Sequence, residues 1–386
     1  MGNLSSISAL CMRRVYGDSG RMGEGASRLM SDQHNGERGD AGQPGLLKTE
    51  RLKPSGIGGA SGLARAVALL RNGGTVAFPT ETVYGLGANA LDRRAIAKIF
   101  LAKGRPGWDP LIVHVGDVAM VERVAAIPAE LQVQAQALIK AFWPGPLTLL
   151  LPRTAEVPET VTAGRPLVGV RMPKHPVALE LIRRAGVPVA APSANRFGGP
   201  SPTTAAHVLA DLDGRIDAVL DGGPTDIGVE STVLNLGALT IYRPGAVSAA
   251  MIARVIGAEV RVAAGKTQEG AAPESLPSPG VGIRHYAPTA RVVLVDGQLE
   301  LLEEIARHPG AEVGVMLPDD WEFGAAAVQF RWGPWGSAEV LARLLYFGLR
   351  LLDERGVKVI VCPVPTMEGG LGEALRDRLE KAARAK

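Results

Sequence analysis

Leu63, Val67 and Leu70 recur at helical spacing in SGLARAVALLRNGG, and Gly73 and Gly74 end the run, so a helix is expected there. TVAFPTETVYGLGANA follows as a strand, a turn and a second extended piece, and DRRAIAKIFLAKG reads as a helix capped by Asp92 and stopped at Gly104. Next come the strand LIVHV, the helix AELQVQAQALIKAFW, the strands PLTLLLP and LVGVRMP, the helix HPVALELIRRAG and the strand VPVAAPSAN. AVLDGG, STVLNL and LTIYRPG supply further strands, and a last helix falls near residues 248 to 257. Adjacent strand pairs interrupt the alternation of helix and strand, which predicts a mixed twisted α/β sheet rather than a strictly doubly wound one.

Residues 263 to 288, AAGKTQEGAAPESLPSPGVGIRHYAP, are dense in Gly, Pro and small polar residues and read as a linker. Beyond them ARVVLVDG, LELLEEIARH, AEVGVMLP, SAEVLARLLYFGLRLLDERG, VKVIVCPVP and a terminal helix from about residue 370 alternate cleanly, as in a small parallel, Rossmann-like α/β domain. The N-terminal stretch carries no sustained period and is rich in Gly, Ser, Arg and Asp, so it reads as disordered. The expected organisation is therefore an extension over 1–58, a larger domain over 59–262, a linker over 263–289 and a small α/β domain over 290–386. MGNLSS fits the myristoylation pattern through Gly2 and Ser6, but so short a pattern arises by chance. Asp18 and Glu24 count against a transit peptide despite Arg13, Arg14, Arg21 and Arg28, and Met22 and Met30 are alternative starts.

With 386 residues, 46% of them hydrophobic, the chain has material for two or three domains. Its 42 Lys and Arg against 39 Asp and Glu give a formal charge of +3, too small to argue for bulk nucleic-acid or membrane binding. Cys11 and Cys362 cannot form a disulfide framework or a CxxC metal site and suit a reducing, cytoplasmic compartment. No apolar run is long enough for a membrane span.

Two phosphate-binding look-alikes fail. GKT at 265 to 267 lacks the glycine a phosphate loop needs at position 260, where Val260 stands, and no helix follows it. GLGANA at 85 to 90 fits the loose dinucleotide form, but the next acidic residue, Asp109, precedes its strand instead of ending it. The candidate chemistry lies elsewhere. PTET, residues 79 to 82, puts two hydroxyls and a carboxylate at a strand end, where α/β sheets build ligand sites, although Thr-held turns look the same. Lys103 and Arg105 straddle a helix stop, and the extended backbone enforced before Pro106 is expected to aim both the same way, toward an anion. Ser193, Asn195, Ser201, Thr203 and Thr204 surround glycines ahead of a helix, a phosphate cradle without a Walker sequence or simply a capping loop. VESTV adds Glu230, Ser231 and Thr232, and YRPG adds Arg243. With Arg171, these motifs collect cations with few acidic partners, which suggests a site for a polyanion and a carboxylate.

PTETVYGLGANA, KGRPGWDPLIVHV, FWPGPLTLLL, VGVRMP, APSANRFGGPSPT, VESTV and YRPGAVS together resemble the YrdC-like family of threonylcarbamoyl-AMP synthases, and PSPGVGIRHYAP before a small α/β domain resembles its longer two-domain form. The resemblance spans about residues 60 to 386. It implies formation of L-threonylcarbamoyl-adenylate and pyrophosphate from L-threonine, bicarbonate and ATP, with Mg2+ expected alongside ATP. The product would serve a separate tRNA threonylcarbamoyl transferase that modifies tRNA. Carried over position by position, Thr82, His114, Arg171, Ala191 and Ser231 fall on threonine-binding positions. Arg105, Asp109, Leu167, Ser193, Ser201, Arg243 and Tyr286 fall on ATP-contacting ones. Lys103 and Arg105 are expected to carry catalysis by neutralising carbamate and phosphate oxygens. Position 109 usually holds Asn in this family, so Asp109 places a carboxylate where phosphates are expected.

No residue stands out as a general base. His285 and Tyr286 sit where the linker is expected to fold over the site as a lid. An RNA-binding module without adenylyl transfer is the alternative, but 4% aromatic residues argue against base stacking. A hydrogenase-maturation carbamoyltransferase shares the YrdC-like domain but needs paired-cysteine zinc motifs that this chain lacks.

Overall fold

A computed structural model of the protein describes residues 48–54, 62–263, 285–308, 312–322 and 327–384. The motifs of the larger domain fall on a mixed sheet of eleven strands. In chain order these are β1 (Glu50–Leu52), β2 (Val76–Pro79), β3 (Tyr84–Asn89), β4 (Ile112–His114), β5 (Leu147–Pro152) and β6 (Leu167–Arg171). They continue with β7 (Val189–Ala190), β8 (Ala218–Leu220), β9 (Thr232–Asn235), β10 (Thr240–Arg243) and β11 (Arg261–Val262). Their order across the sheet is β1-β8-β2-β3-β7-β4-β6-β5-β9-β10-β11. β4 runs parallel to β6 and β5 to β9, whereas β2–β3, β3–β7, β4–β7 and β5–β6 are antiparallel, the mixed character expected from adjacent strand pairs.

The central strands are continuous apolar runs because both faces of the sheet are covered: Val76, Phe78, Leu86, Val113, Leu149, Val170 and Leu234 all lie in the buried core. Helix Arg93–Lys103 begins where the Asp92 carboxylate accepts from the Arg94 amide and ends where Gly104 turns left-handed. Gly87 has no room for a side chain, since a Cβ there would lie 2.6 Å from the Phe78 ring and 2.8 Å from Val189.

One element contradicts the expected extent of the disordered extension. Glu50–Leu52 forms an edge strand parallel to β8, tied by Arg51 to Asp221 at 2.8 Å, by Arg65 to Glu50, and by the Thr49 hydroxyl to the Ile216 carbonyl at 3.0 Å. Three residues held by polar contacts leave no hydrophobic period to read. The remainder of the extension, with Cys11 and the MGNLSS pattern, and most of the linker lie outside the described residues.

The second sheet contains β12 (Arg291–Val295), β13 (Val313–Pro318), β14 (Val328–Gly333) and β15 (Val359–Pro363), all parallel in the order β12-β15-β13-β14. Helices Gln298–Ala306, Ala338–Glu354 and Gly370–Ala383 connect or follow the strands. β14 is a strand beyond those expected from the sequence, although Val328, Phe330 and Trp332 alternate with Gln329 and Arg331 in VQFRWG. One apolar cluster joins this sheet to the larger domain: Val83 and Val229 share it with Tyr286, Leu341, Tyr346 and Leu375. No helix among the described residues is long and apolar enough to cross a membrane.

Candidate active site

The turn PTET joins β2 to β3, and its conformation is fixed by Thr80. The Thr80 hydroxyl donates to the Val83 carbonyl at 2.7 Å, accepts from the Thr82 amide at 3.2 Å and lies 2.8 Å from the Thr82 hydroxyl. The motif is a Thr-held turn, and that turn presents Thr82 to a cavity that Thr80, Thr82 and Val83 help to line.

His114 and Arg171 are register partners at the ends of the parallel strands β4 and β6, and both line the same cavity. Arg171 donates to the Thr82 hydroxyl at 3.0 Å and to the Gly145 carbonyl at 3.2 Å, and its charge meets Glu81 at 2.5 Å. The other Glu81 oxygen accepts from the Lys174 amide at 3.0 Å. The expectation of few acidic partners is thereby corrected, since PTET itself carries the counterion of Arg171. Burial, and after it the Arg171 charge, pushes the His114 pKa down to about 3, so the imidazole is neutral. Its Nδ1 has no protein hydrogen-bond partner.

Ala191, Pro192 and Ser193 form the wall opposite Gly85 in the chain pairing: Ala191 donates to the Ile112 carbonyl at 2.9 Å, and Gly85 and Ser193 make an isolated bridge. Ser231 lies 2.8 Å from the Thr148 hydroxyl, and Arg243 grips both its carbonyl at 3.0 Å and its hydroxyl at 3.1 Å. Arg105 completes the cationic lining, donating to the carbonyls of Asp109 at 3.1 Å and Pro110 at 2.8 Å.

Lys103 goes elsewhere. Its ammonium donates to the carbonyls of Ser193 at 2.6 Å and Asn195 at 2.5 Å, and it is not part of the cavity lining. Burial and next the Arg105 charge push its pKa well below the usual lysine range. The expected common aim of Lys103 and Arg105 is corrected accordingly: one cation pins the loop that carries Ser193, and the other faces the cavity. Asp109 lies behind the lining, fully buried, with Arg105 at 2.9 Å and His285 at 3.4 Å. Burial would raise its pKa, but Arg105 and then His285 outweigh it and hold the carboxyl below its usual value. Ser201 is also behind the wall, giving its hydroxyl proton to Glu230 at 2.5 Å. Leu167 lies at the far end of β6 from Arg171, against Ile112, Leu150 and Val233, outside the lining.

Comparison with known proteins is decisive at this point. A family model described as "Telomere recombination" matches residues 68–245, and one described as "Threonylcarbamoyl-AMP synthase, C-terminal domain" matches residues 247–384. The chain is 43% identical over 327 residues to the threonylcarbamoyl-AMP synthase of Pyrococcus abyssi, covering 82% of this chain and 93% of the relative. It is 44% identical over 329 residues to that of Bacillus subtilis, covering 83% and 92%. The chain belongs to the threonylcarbamoyl-AMP synthase family. The solved structure of P. abyssi Sua5 complexed with L-threonine superposes with a TM-score of 0.77 at 41% identity, covering 87% of this chain and 98% of that one, so the two-domain architecture of the family is present here.

Within this family fold, the side chains that sequence reasoning did not reach come from the C-terminal domain. Arg378, in helix Gly370–Ala383, and Tyr346, in helix Ala338–Glu354, both bind Glu230 of the cavity wall. They are 148 and 116 residues away from it in the chain, so no local motif signals the contact. Tyr286 has a left-handed backbone, φ 67°, and its ring lies 5.7 Å from Tyr346 and 5.3 Å from the Arg378 guanidinium.

Proposed function

We propose that this cavity binds L-threonine, bicarbonate and ATP and forms L-threonylcarbamoyl-adenylate with release of pyrophosphate, a nucleotidyl transfer. The observation that carries the reading is the convergence of Arg171, Thr82, neutral His114 and Ser231 with Arg105 and Arg243 in one buried cavity of this family's fold. In the reaction, the threonine amine attacks the bicarbonate carbon and water leaves. A carbamate oxygen then attacks the α-phosphorus of ATP, and pyrophosphate departs with the bonding pair. Negative charge is present or transferred at each step, and fixed guanidinium groups in a water-poor site stabilise it with little reorganisation.

Arg171, held rigid by Gly145 and Glu81, is assigned to the threonine carboxylate, and Arg105 and Arg243 to phosphate and carbamate oxygens. Thr82, His114 and Ser231 are assigned to the amine and hydroxyl, with Ala191 against the amino acid and Ser193 against the nucleotide. Lys103 is assigned to holding the Ser193–Asn195 loop, on the strength of its two carbonyl contacts. Glu230 and Asp109 already face Arg378 and Arg105, and no cluster of three or more His, Cys, Asp or Glu that could hold a metal occurs among the described residues. Mg2+ would therefore enter on the phosphates, the ion's usual mode in nucleotide sites. His285 and Tyr286 would close the nucleotide side against water. The product would pass to a tRNA threonylcarbamoyl transferase.

The cations lining the cavity are buried and hold partners within it, which does not suit an RNA-binding surface that tracks a phosphate backbone. The test is pyrophosphate release from ATP and bicarbonate with and without L-threonine. Threonine-dependent release is expected, with Arg105→Ala lowering kcat about 100-fold or more. Lys103→Ala is expected to lower it less, about tenfold, because it acts through the loop. Release that ignores threonine, or none at all, sinks the synthase reading.

A further inference from the structure

Glu230 is the one carboxylate among the described lining residues, and it is fully engaged. One oxygen accepts from Ser201 at 2.5 Å and from the Tyr346 hydroxyl at 3.2 Å, and the other accepts from Arg378 Nε at 2.9 Å and from Tyr346 at 3.0 Å. The Arg378 side chain is 0% exposed. Its Nη1 donates to Asp377 at 2.6 Å, and its guanidinium carbon lies 5.3 Å from the centre of the Tyr286 ring. A fully buried arginine spanning two carboxylates and an aromatic face is a costly feature for a small α/β domain, and a hydrophobic residue would pack the same space more favourably. The carboxylate that offsets this cost most directly, Glu230, lies outside the domain that carries Arg378.

Glu230, being fixed as an anion, serves poorly as a base. Burial would raise its pKa, but the Arg378 and Arg243 charges and the Ser201 bond outweigh burial and keep it low. With its proton committed to Glu230, the Ser201 hydroxyl keeps only acceptor capacity.

We propose that Arg378 is a positioning residue of the active site: from the last helix it fixes Glu230, and through Glu230 it fixes Ser201 and the wall that receives ATP. The inference rests on the synthase reading for the identity of the nucleotide, because Ser201, Arg243 and Tyr286 are the residues assigned to ATP. On the threonine side, the Thr82 and Arg171 side chains bond to each other and to Thr80, Gly145 and Glu81 rather than to Arg378 or Glu230. Ser231, although next to Glu230, takes its side-chain bonds from Thr148 and Arg243, and the Glu230 loop reaches this side through the backbone bonds of Ile227 and Gly228. Arg378 should therefore act on one substrate and not the other.

The experiment is calorimetric binding of ATP and, separately, of L-threonine to the full chain carrying Arg378→Met, Glu230→Gln or both, with Arg378→Lys as the conservative variant. Arg378→Met should weaken ATP binding about tenfold, the scale of a lost charged hydrogen bond, and leave threonine affinity within about twofold. Because Arg378 acts through Glu230, the double variant should be no weaker than the weaker single one. Arg378→Lys should recover part of the loss, since it keeps the charge and loses the bridge to Asp377. Additive losses, or equal losses for both ligands, overturn the proposal and leave Arg378 as a strut between domains. Should Arg378→Met not fold, Tyr346→Phe answers the same question: it should weaken ATP less than tenfold and be silent in the Glu230→Gln background, and additivity again overturns the idea. Wild-type protein that binds ATP but shows no threonine-dependent pyrophosphate release sinks the synthase reading and leaves the ATP comparison intact. Wild-type protein that binds no ATP overturns both.

Discussion

His114 and His207 are buried imidazoles whose pKa values burial pushes down to about 3, helped by the charges of Arg171 and Arg350 respectively. The unfolded chain protonates the same groups near the ordinary value of 6.5, so between that pH and about 3 the unfolded state binds more protons than the folded one. Stability must then fall as pH drops through 6.5, and His175 and His285, also shifted down, act in the same direction. Urea unfolding at pH 7.5 and 5.5 should show a loss of at least about 2 kcal/mol from the first two residues, before carboxylate titration begins. His207→Asn should remove roughly half of that loss, since each histidine contributes a similar proton-linked term. A flat profile over this range would mean that the imidazoles are solvated or charged in the folded protein. What the sequence conveyed at this scale was residue type rather than direction: His114, Arg171, Thr82 and Ser231 meet at one cavity. Lys103 and Arg105, two positions apart, part company because each takes its own set of backbone carbonyls.

The segment from helix Arg93–Lys103 to β4 was the most legible element, since its cap, its stop and its proline are local signals, and Asp92 and Gly104 perform the roles their types suggest. The edge strands differ from it and from each other. β1 is held by an ion pair to Asp221 far along the chain and leaves no local pattern. β14 does alternate, Val328, Phe330 and Trp332 against Gln329 and Arg331, with Phe330 and Trp332 buried and Arg331 exposed, so its signal was there to be read. The same legible segment contains Asp109, whose carboxylate sits 2.9 Å from Arg105 and competes with any phosphate for that cation. Asp109→Asn should have two opposed effects. Breaking a buried charge pair should cost about 3 kcal/mol of stability, while freeing Arg105 should tighten ATP binding several-fold at low salt and less at high salt. Urea unfolding and ATP calorimetry at two ionic strengths read both effects. Unchanged or weaker nucleotide affinity would show that the carboxylate assists the phosphate site instead of opposing it.

At the scale of the whole molecule, the catalytic sheet and the C-terminal domain meet across the loop that carries Glu230. Ile227 and Gly228 of this loop donate to the carbonyls of Glu81 and Thr82 at 2.8 and 3.0 Å, so the loop is also bonded to the PTET turn. Gly228 adopts φ +87°, and a Cβ there would lie 2.4 Å from the Ala342 carbonyl oxygen and 2.4 Å from the Arg343 Cα, both in helix Ala338–Glu354. Gly223, in the same loop, has φ +90° with nothing within 4 Å of a Cβ. The pair separates backbone strain from domain contact. Gly223→Ala should cost about 1 kcal/mol, the penalty for a side chain on a left-handed backbone, and leave ligand binding unchanged. Gly228→Ala adds a backbone clash that only movement of the helix or the loop can relieve, for a total of about 2 to 4 kcal/mol. If the loop gives way, Thr82 and Glu230 move with it, and both threonine and ATP bind more weakly. This pattern differs from the ATP-only loss expected of Arg378→Met. Thermal unfolding and calorimetry on the two glycine variants decide the matter, since equal costs with unchanged binding would mean that the C-terminal helix does not bear on the loop.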